Sequence, residues 1–167
     1  DTCIAQLALL DSGMAPDDPV VQASARWLIN KQIFTGGDWQ IKSKGTRPGG
    51  WSFEFENSHY PDIDDASIVV MALDKARLPE PEESRRTTSI KRGVEWVTGM
   101  QSKNGGWAAF DKDNNKKYLT KIQFADFGET LDPPSVDVTA HILEMYGQLG
   151  YTKDYSVVSR GIDYVIK

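Results

Sequence analysis

Asp65-Ala66-Ser67-Ile68-Val69-Val70-Met71-Ala72-Leu73 decides how this chain is read, because it occurs three times in outline. Asp1-Thr2-Cys3-Ile4-Ala5-Gln6-Leu7-Ala8-Leu9 has the same form, and so does Asp137-Val138-Thr139-Ala140-His141-Ile142-Leu143-Glu144-Met145. Each begins with an Asp and continues as an apolar stretch with few polar positions. That pattern describes a helix buried on most sides, with the Asp at its positive end. A second helix type follows each. Ala25-Arg26-Trp27-Leu28-Ile29-Asn30-Lys31-Gln32 matches Gly93-Val94-Glu95-Trp96-Val97-Thr98-Gly99-Met100-Gln101 in outline, with Trp27 and Trp96 69 residues apart. Gly161-Ile162-Asp163-Tyr164-Val165 begins a third copy with Tyr164 at the Trp position. Ile90, Val94, Val97 and Met100 recur at near-helical spacing, so these helices carry one apolar stripe. A glycine-rich turn and a Trp close each unit, read here as Gly37-Asp38-Trp39 and Gly105-Gly106-Trp107.

The unit is therefore a buried helix, a connection, a half-buried helix and a Gly/Trp turn, recurring every 64 to 72 residues. Stacked helical hairpins of this kind build an α/α barrel or a solenoid, and the fold class predicted is all-α. Two long irregular segments, from Trp39 to Asp65 and from Trp107 to Asp137, separate the units. Long loops in a compact domain are commonly functional, and the aromatics of these (among them Trp51, Phe53, Tyr60, Phe110, Phe124 and Phe127) argue for order.

Composition narrows the function. The chain has 167 residues, 40% of them hydrophobic, enough for one sizeable core. A net charge of −5 with no basic run argues against nucleic acid as a partner. The single cysteine, Cys3, excludes an internal disulfide framework. No apolar run reaches the ~18 residues of a membrane span.

Just before the second buried helix stands Tyr60-Pro61-Asp62-Ile63-Asp64-Asp65. Pro61 suits a helix start, and one Asp would cap it. Three carboxylates at the mouth of a buried helix are costly. Two like charges ~4 Å apart cost about 4 kcal/mol at an effective dielectric near 20, enough to hold one carboxyl protonated near neutral pH. A neutral carboxylic acid in a dry site, with aromatic faces around it, can protonate an alkene and stabilise the resulting cation, each desolvated cation–π contact adding ~2 kcal/mol. Asp137 and His141 share one helix face at i, i+4, and a cationic His141 bridging Asp62 and Asp137 would stabilise the conjugate base. Asp65 reads as the ordinary helix-start Asp shared with Asp1 and Asp137, leaving Asp62 and Asp64 as the additions. Asp111-Lys112-Asp113-Asn114-Asn115 hints at a calcium loop but lacks the sixth-position Gly and twelfth-position Glu, so no metal is predicted.

These residues resemble a known family. Asp62-Ile63-Asp64-Asp65 has the form of the DxDD motif, and Lys91-Arg92-Gly93 through Gln101 to Gly105-Gly106-Trp107 that of a QW motif. With Gly49-Gly50-Trp51-Ser52-Phe53, Asp126-Phe127-Gly128-Glu129 and Asp132-Pro133-Pro134-Ser135, they make the whole chain similar to squalene–hopene cyclases, bacterial class II triterpene cyclases. The resemblance implies that residues 1–167 are a single partial α/α-barrel segment of a longer two-barrel cyclase. It implies that Asp64 is the Brønsted acid protonating the terminal alkene of squalene, with polycyclisation to hopene or hopanol. Asp62 and Asp65 then assist, and His141 with Asp137 supports the acid. Phe53, Phe110 and Phe127 fall at cavity aromatics, and Phe124-Ala125 at the constriction of the substrate channel. Two departures stand out: Phe110 replaces a Tyr, keeping only the π-face, and Ala125 replaces a Cys. The partners implied are squalene or a similar polyprenyl, the remainder of the cyclase chain and a membrane surface, with no cofactor; a homodimer is compatible with this reading. The location implied is peripheral, on the cytoplasmic side of a bacterial cell membrane. The segment alone is expected to be inactive and to self-associate through uncovered apolar surface. Two alternatives stay open: a protonation-initiated cyclase of another polyprenyl, and a non-catalytic helical-repeat binding module.

Overall fold

The computed structural model describes residues 1–54, 57–115 and 131–167. Among the described residues six helices follow one another as three hairpins: α1 (Thr2–Asp11) with α2 (Pro19–Asn30), α3 (Ile63–Lys75) with α4 (Glu82–Gly99), and α5 (Val136–Gln148) with α6 (Ser156–Val165). A 3₁₀ turn spans Asp38–Ile41, and a two-residue antiparallel ladder joins β1 (Trp51–Ser52) to β2 (Pro61–Asp62). The all-α reading holds.

Helix α3 is the centre of the row. It packs against α1 and α5 on its flanks and against α2 and α4 behind. Eight of its thirteen residues are buried, from Ile63 to Leu73. Polar side chains bind the row together at backbone carbonyls: Gln6 donates to Ala72 O (2.7 Å) and Gln148 to Met71 O (3.0 Å). Burial on most sides, expected of all three repeats, is true of α3 alone. Helix α1 buries only Cys3 and Gln6, and Ile4 is 58% exposed. The physical reason is position: α3 has an inner neighbour on each flank, and α1 on one.

The ties between successive hairpins are the same twice over. Gln32 donates its amide to Gly49 O (2.7 Å) and to Ser89 O on α4 (2.9 Å). Gln101 donates to Gly105 O (2.8 Å) and to Val157 O on α6 (2.9 Å). The indole of Trp51 donates to Leu28 O (2.7 Å) and that of Trp107 to Val97 O (2.8 Å), four residues before Gln32 and Gln101 respectively. Gly93 is bare where Trp51 packs, and Gly161 where Trp107 packs. The structural counterpart of Trp107 is therefore Trp51, not Trp39. Sixteen residues, 33–48, separate Gln32 from its glycine turn where three, 102–104, separate Gln101 from the next, and near-equal spacing, seven residues from Gln32 to Trp39 against six from Gln101 to Trp107, points to the wrong Trp. Trp39 sits on the inserted 3₁₀ turn, edge-on to Trp96 with centroids 5.9 Å apart.

The short connections, residues 12–18, 76–81 and 149–155, lie at one end of the hairpins. The described parts of the long ones, residues 31–54, 57–62, 100–115 and 131–135, lead to the other end, where α3 and α5 begin.

Candidate active site

The N-terminus of α3 is built by Asp62, which ends β2 and caps the helix. Its backbone is extended (φ −96°, ψ 130°), and its Oδ1 accepts from Asp65 N at 3.1 Å. Pairing of Asp62 with Trp51 across the ladder, and of Ile63 N with Ala109 O (2.6 Å), holds the start of the helix from two sides. The capping Asp is thus Asp62, and Asp65 lies a turn inside. The counterpart on α5 is Ser135, whose hydroxyl accepts from Val138 N (3.4 Å), with Asp137 inside the first turn. Sequence reading missed Ser135 as the cap. The Pro-Pro-Ser run before an apolar helix is the local pattern that marks it.

Burial sorts the three carboxylates. Asp62 is 6% exposed. Desolvation pushes its carboxyl up to about 7; the charges of Asp65 and Asp64 add to this, against the pull of the backbone N–H groups of Asp65 and Asp64. Asp65 is raised as well, by burial first and by the charge of Asp64. Asp64 projects from the first turn and meets His141 on α5: Nδ1 to Oδ1 is 2.8 Å. The expected bridge from His141 to Asp62 and Asp137 is replaced by this contact. Asp62 is taken up in capping, and Asp137 is held by the Ser135 hydroxyl and backbone N–H groups. Those hydrogen bonds keep the Asp137 carboxyl below its usual range, with His141 a minor contributor. The cause of the raised carboxyl also differs from expectation: desolvation dominates, and like-charge repulsion is secondary.

Burial of Asp62 has a pH consequence. Its folded pKa, about 7, lies above the unfolded 3.8. The folded state therefore holds the extra proton between these values, and stability is lost as pH rises through about 7. At ~1.4 kcal/mol per unit the full loss is on the order of 4 kcal/mol. Asp62→Asn keeps a good cap and is expected to flatten the dependence. Thermal melts of both proteins at pH 5 and pH 8 check this; equal pH slopes would show that Asp62 is ionised in the folded state throughout.

The aromatics beside this mouth converge. Phe53, Tyr60 and Phe110 line a cavity of about 250 Å³ with Glu54 and Asn57. Phe53 also borders a larger cleft of about 610 Å³ that reaches Asp65, Trp51 and Val69. Phe53 and Phe110 were expected in a cavity; Tyr60 was not named, although it adjoins the acidic run. Phe124, Ala125 and Phe127 lie outside the described residues.

Stacked α-hairpins tied by Gln–Gly–Trp turns, with carboxylates at an inner helix mouth, constitute the fold of a terpene-cyclase α/α toroid. All of residues 1–167 match the family described as squalene-hopene cyclase C-terminal domain, and the chain belongs to that family. It is 45% identical over 165 residues to the squalene–hopene cyclase of Alicyclobacillus acidocaldarius, covering 99% of this chain and 26% of the relative. It is 44% identical over 169 residues to that of Bradyrhizobium diazoefficiens, covering 100% and 26%. To the dammaradiene synthase of Dryopteris crassirhizoma it is 44% identical over 149 residues, covering 89% and 22%. The chain thus spans about a quarter of the length of the curated relatives it matches.

Proposed function

We infer that this chain is the acid-bearing segment of a class II triterpene cyclase that protonates a terminal alkene of squalene. The observation that carries the reading is the Asp64–His141 contact of 2.8 Å at the mouth of α3; Tyr60, two residues before the capping Asp62, lines the cleft with Phe53 and Phe110. His141 donates Nδ1–H to Oδ1 of Asp64, and Oδ2 of Asp64 carries the proton. The alkene π pair takes that proton, forming a C–H bond and leaving a tertiary carbocation; the O–H electron pair stays on Asp64. The hydrogen bond from His141 stabilises the carboxylate so formed. Burial raises the Asp62 carboxyl to about 7, so near neutral pH it is in part protonated, and to that extent the like charge beside Asp64 and the cost of ionising it are reduced. The faces of Phe53 and Phe110 stabilise the cation while successive alkenes attack it. Loss of a proton, or capture of water, ends the cascade.

Among the described residues no helix is long and apolar enough to cross a membrane. Because squalene is insoluble in water, the whole enzyme is assigned to a membrane surface.

The test is product analysis after incubating the full-length protein with squalene. Pentacyclic products are expected; no turnover of squalene or of any other polyprenyl would refute the reading. The similarity to a relative named dammaradiene synthase supports a second reading, in which the same acid starts a cascade with another product. Product identity and a substrate panel separate the two.

A further inference from the structure

The contact between Asp64 and His141 joins two helices that no covalent route connects closely, and its geometry has a visible source. Trp107-Ala108-Ala109 runs between the starts of α3 and α5. At its far end, Ala109 O accepts from Ile63 N at 2.6 Å, one residue before Asp64. At its near end, Ser135 N donates to Trp107 O (3.0 Å), the first tie to α5. The second tie is Thr139. Its hydroxyl donates to Ser135 O (2.6 Å) and accepts from Trp107 N (3.0 Å). Thr139 is fully buried, and so is Trp107, whose indole is bound to Val97 O.

We propose that Thr139 is a positioning residue that sets Asp64 against His141 through the Trp107–Ala109 strip. This rests on the reading of Asp64 as the acid. The mechanical argument is simple. Gln148 holds the far end of α5 to Met71 O and Asp74 of α3, and at the mouth end the bond at Ser135 alone would be a single tie to the strip. A second bond, one helical turn further on, fixes the orientation. His141 lies two residues beyond Thr139, and Asp64 one residue beyond Ile63. The strip is three residues long, at most ~11 Å, and is too short to flex far. The hydroxyl is needed twice over, as donor and as acceptor, so an isosteric methyl cannot replace it. Thr139 itself touches neither substrate space nor the reacting carboxyl.

The experiment uses the full-length protein with Thr139→Val and Thr139→Ser. Thr139→Val is expected to lower kcat on squalene by about 10- to 100-fold, the scale of a small misplacement of catalytic groups, with KM changed less than about twofold. Thr139→Ser, which keeps the hydroxyl, is expected to restore kcat to within about threefold of wild type by the same reasoning. A second readout is independent of turnover. In histidine-labelled protein, the Nδ1 proton of His141 gives a downfield resonance, assigned by its loss in His141→Gln. It should disappear in Thr139→Val and persist in Thr139→Ser. If Thr139→Val does not fold, Thr139→Ala takes its place in both comparisons. Retained kcat and resonance in the hydroxyl-free variant, or failure of Thr139→Ser to rescue, overturns the proposal. A wild-type protein that cyclises no polyprenyl refutes the functional reading instead, and the resonance then decides the role of Thr139 alone.

Discussion

Asp64→Asn is expected to abolish cyclisation, lowering kcat on squalene in the full-length protein by about 10³–10⁴-fold, the upper range for loss of a general acid. The amide oxygen still accepts a hydrogen bond from His141 at the position of Oδ1, so the helix mouth keeps its packing and substrate affinity is expected to change little. What is lost is the transferable proton. The comparison that matters is Asp62→Asn. Asp62 is the carboxyl that burial raises furthest, to about 7, and on that ground alone it competes for the role of acid. It is, however, committed to capping α3 and is almost wholly enclosed. Asp64 is only part-buried, with its side chain 33% exposed, and is in contact with His141. The expected order is therefore near-complete loss at Asp64 and a smaller loss at Asp62. Normal hopene-type product from Asp64→Asn, with loss at Asp62→Asn, would move the proton to Asp62.

Gly105→Ala is expected to be the most destabilising of small substitutions in the turns, at about 3–5 kcal/mol by urea denaturation. Two causes act together. Its backbone is left-handed, φ +97°, a region that L side chains rarely adopt. A Cβ there would also stand 2.3 Å from the backbone oxygen of Arg160 on α6, which cannot swing aside as a side chain would. Gly45 is the control. Its φ is +88°, but nothing lies within 4 Å of the added atom, so Gly45→Ala is expected to cost only about 1 kcal/mol. Equal losses at the two sites would mean that close approach of the turn to α6 is not what ties the second and third hairpins. Gly49→Ala provides the equivalent in the preceding unit, where the new Cβ would meet Arg92 O at 2.5 Å.

The hairpin repeat was legible because it is local. Apolar helices, amphipathic helices and glycine turns each have their own spacing, and three copies in register make chance agreement small. The three aspartates, His141, Phe53 and Phe110 stand out in the sequence as candidate site residues by type and by resemblance, and Asp64 meets His141 where α3 begins. Trp51 was missed as the closing Trp because an insertion of residues 33–48 hides it from equal spacing. Only its hydrogen bond to Leu28 O and its fit over Gly93 identify it.

By itself, then, the sequence determined the α/α hairpin fold, the family and the set of residues at the helix mouth, since periodicity and short motifs are written along the chain. Only the tertiary structure decided how those residues divide the work. Which carboxyl is raised depends on burial, and Asp62 is buried where the ladder pairs it with Trp51. Which carboxyl His141 meets depends on the rotation of α5 relative to α3, set by hydrogen bonds through Trp107, Ala109, Ser135 and Thr139. Neither quantity has a signature in the spacing of three aspartates within four residues.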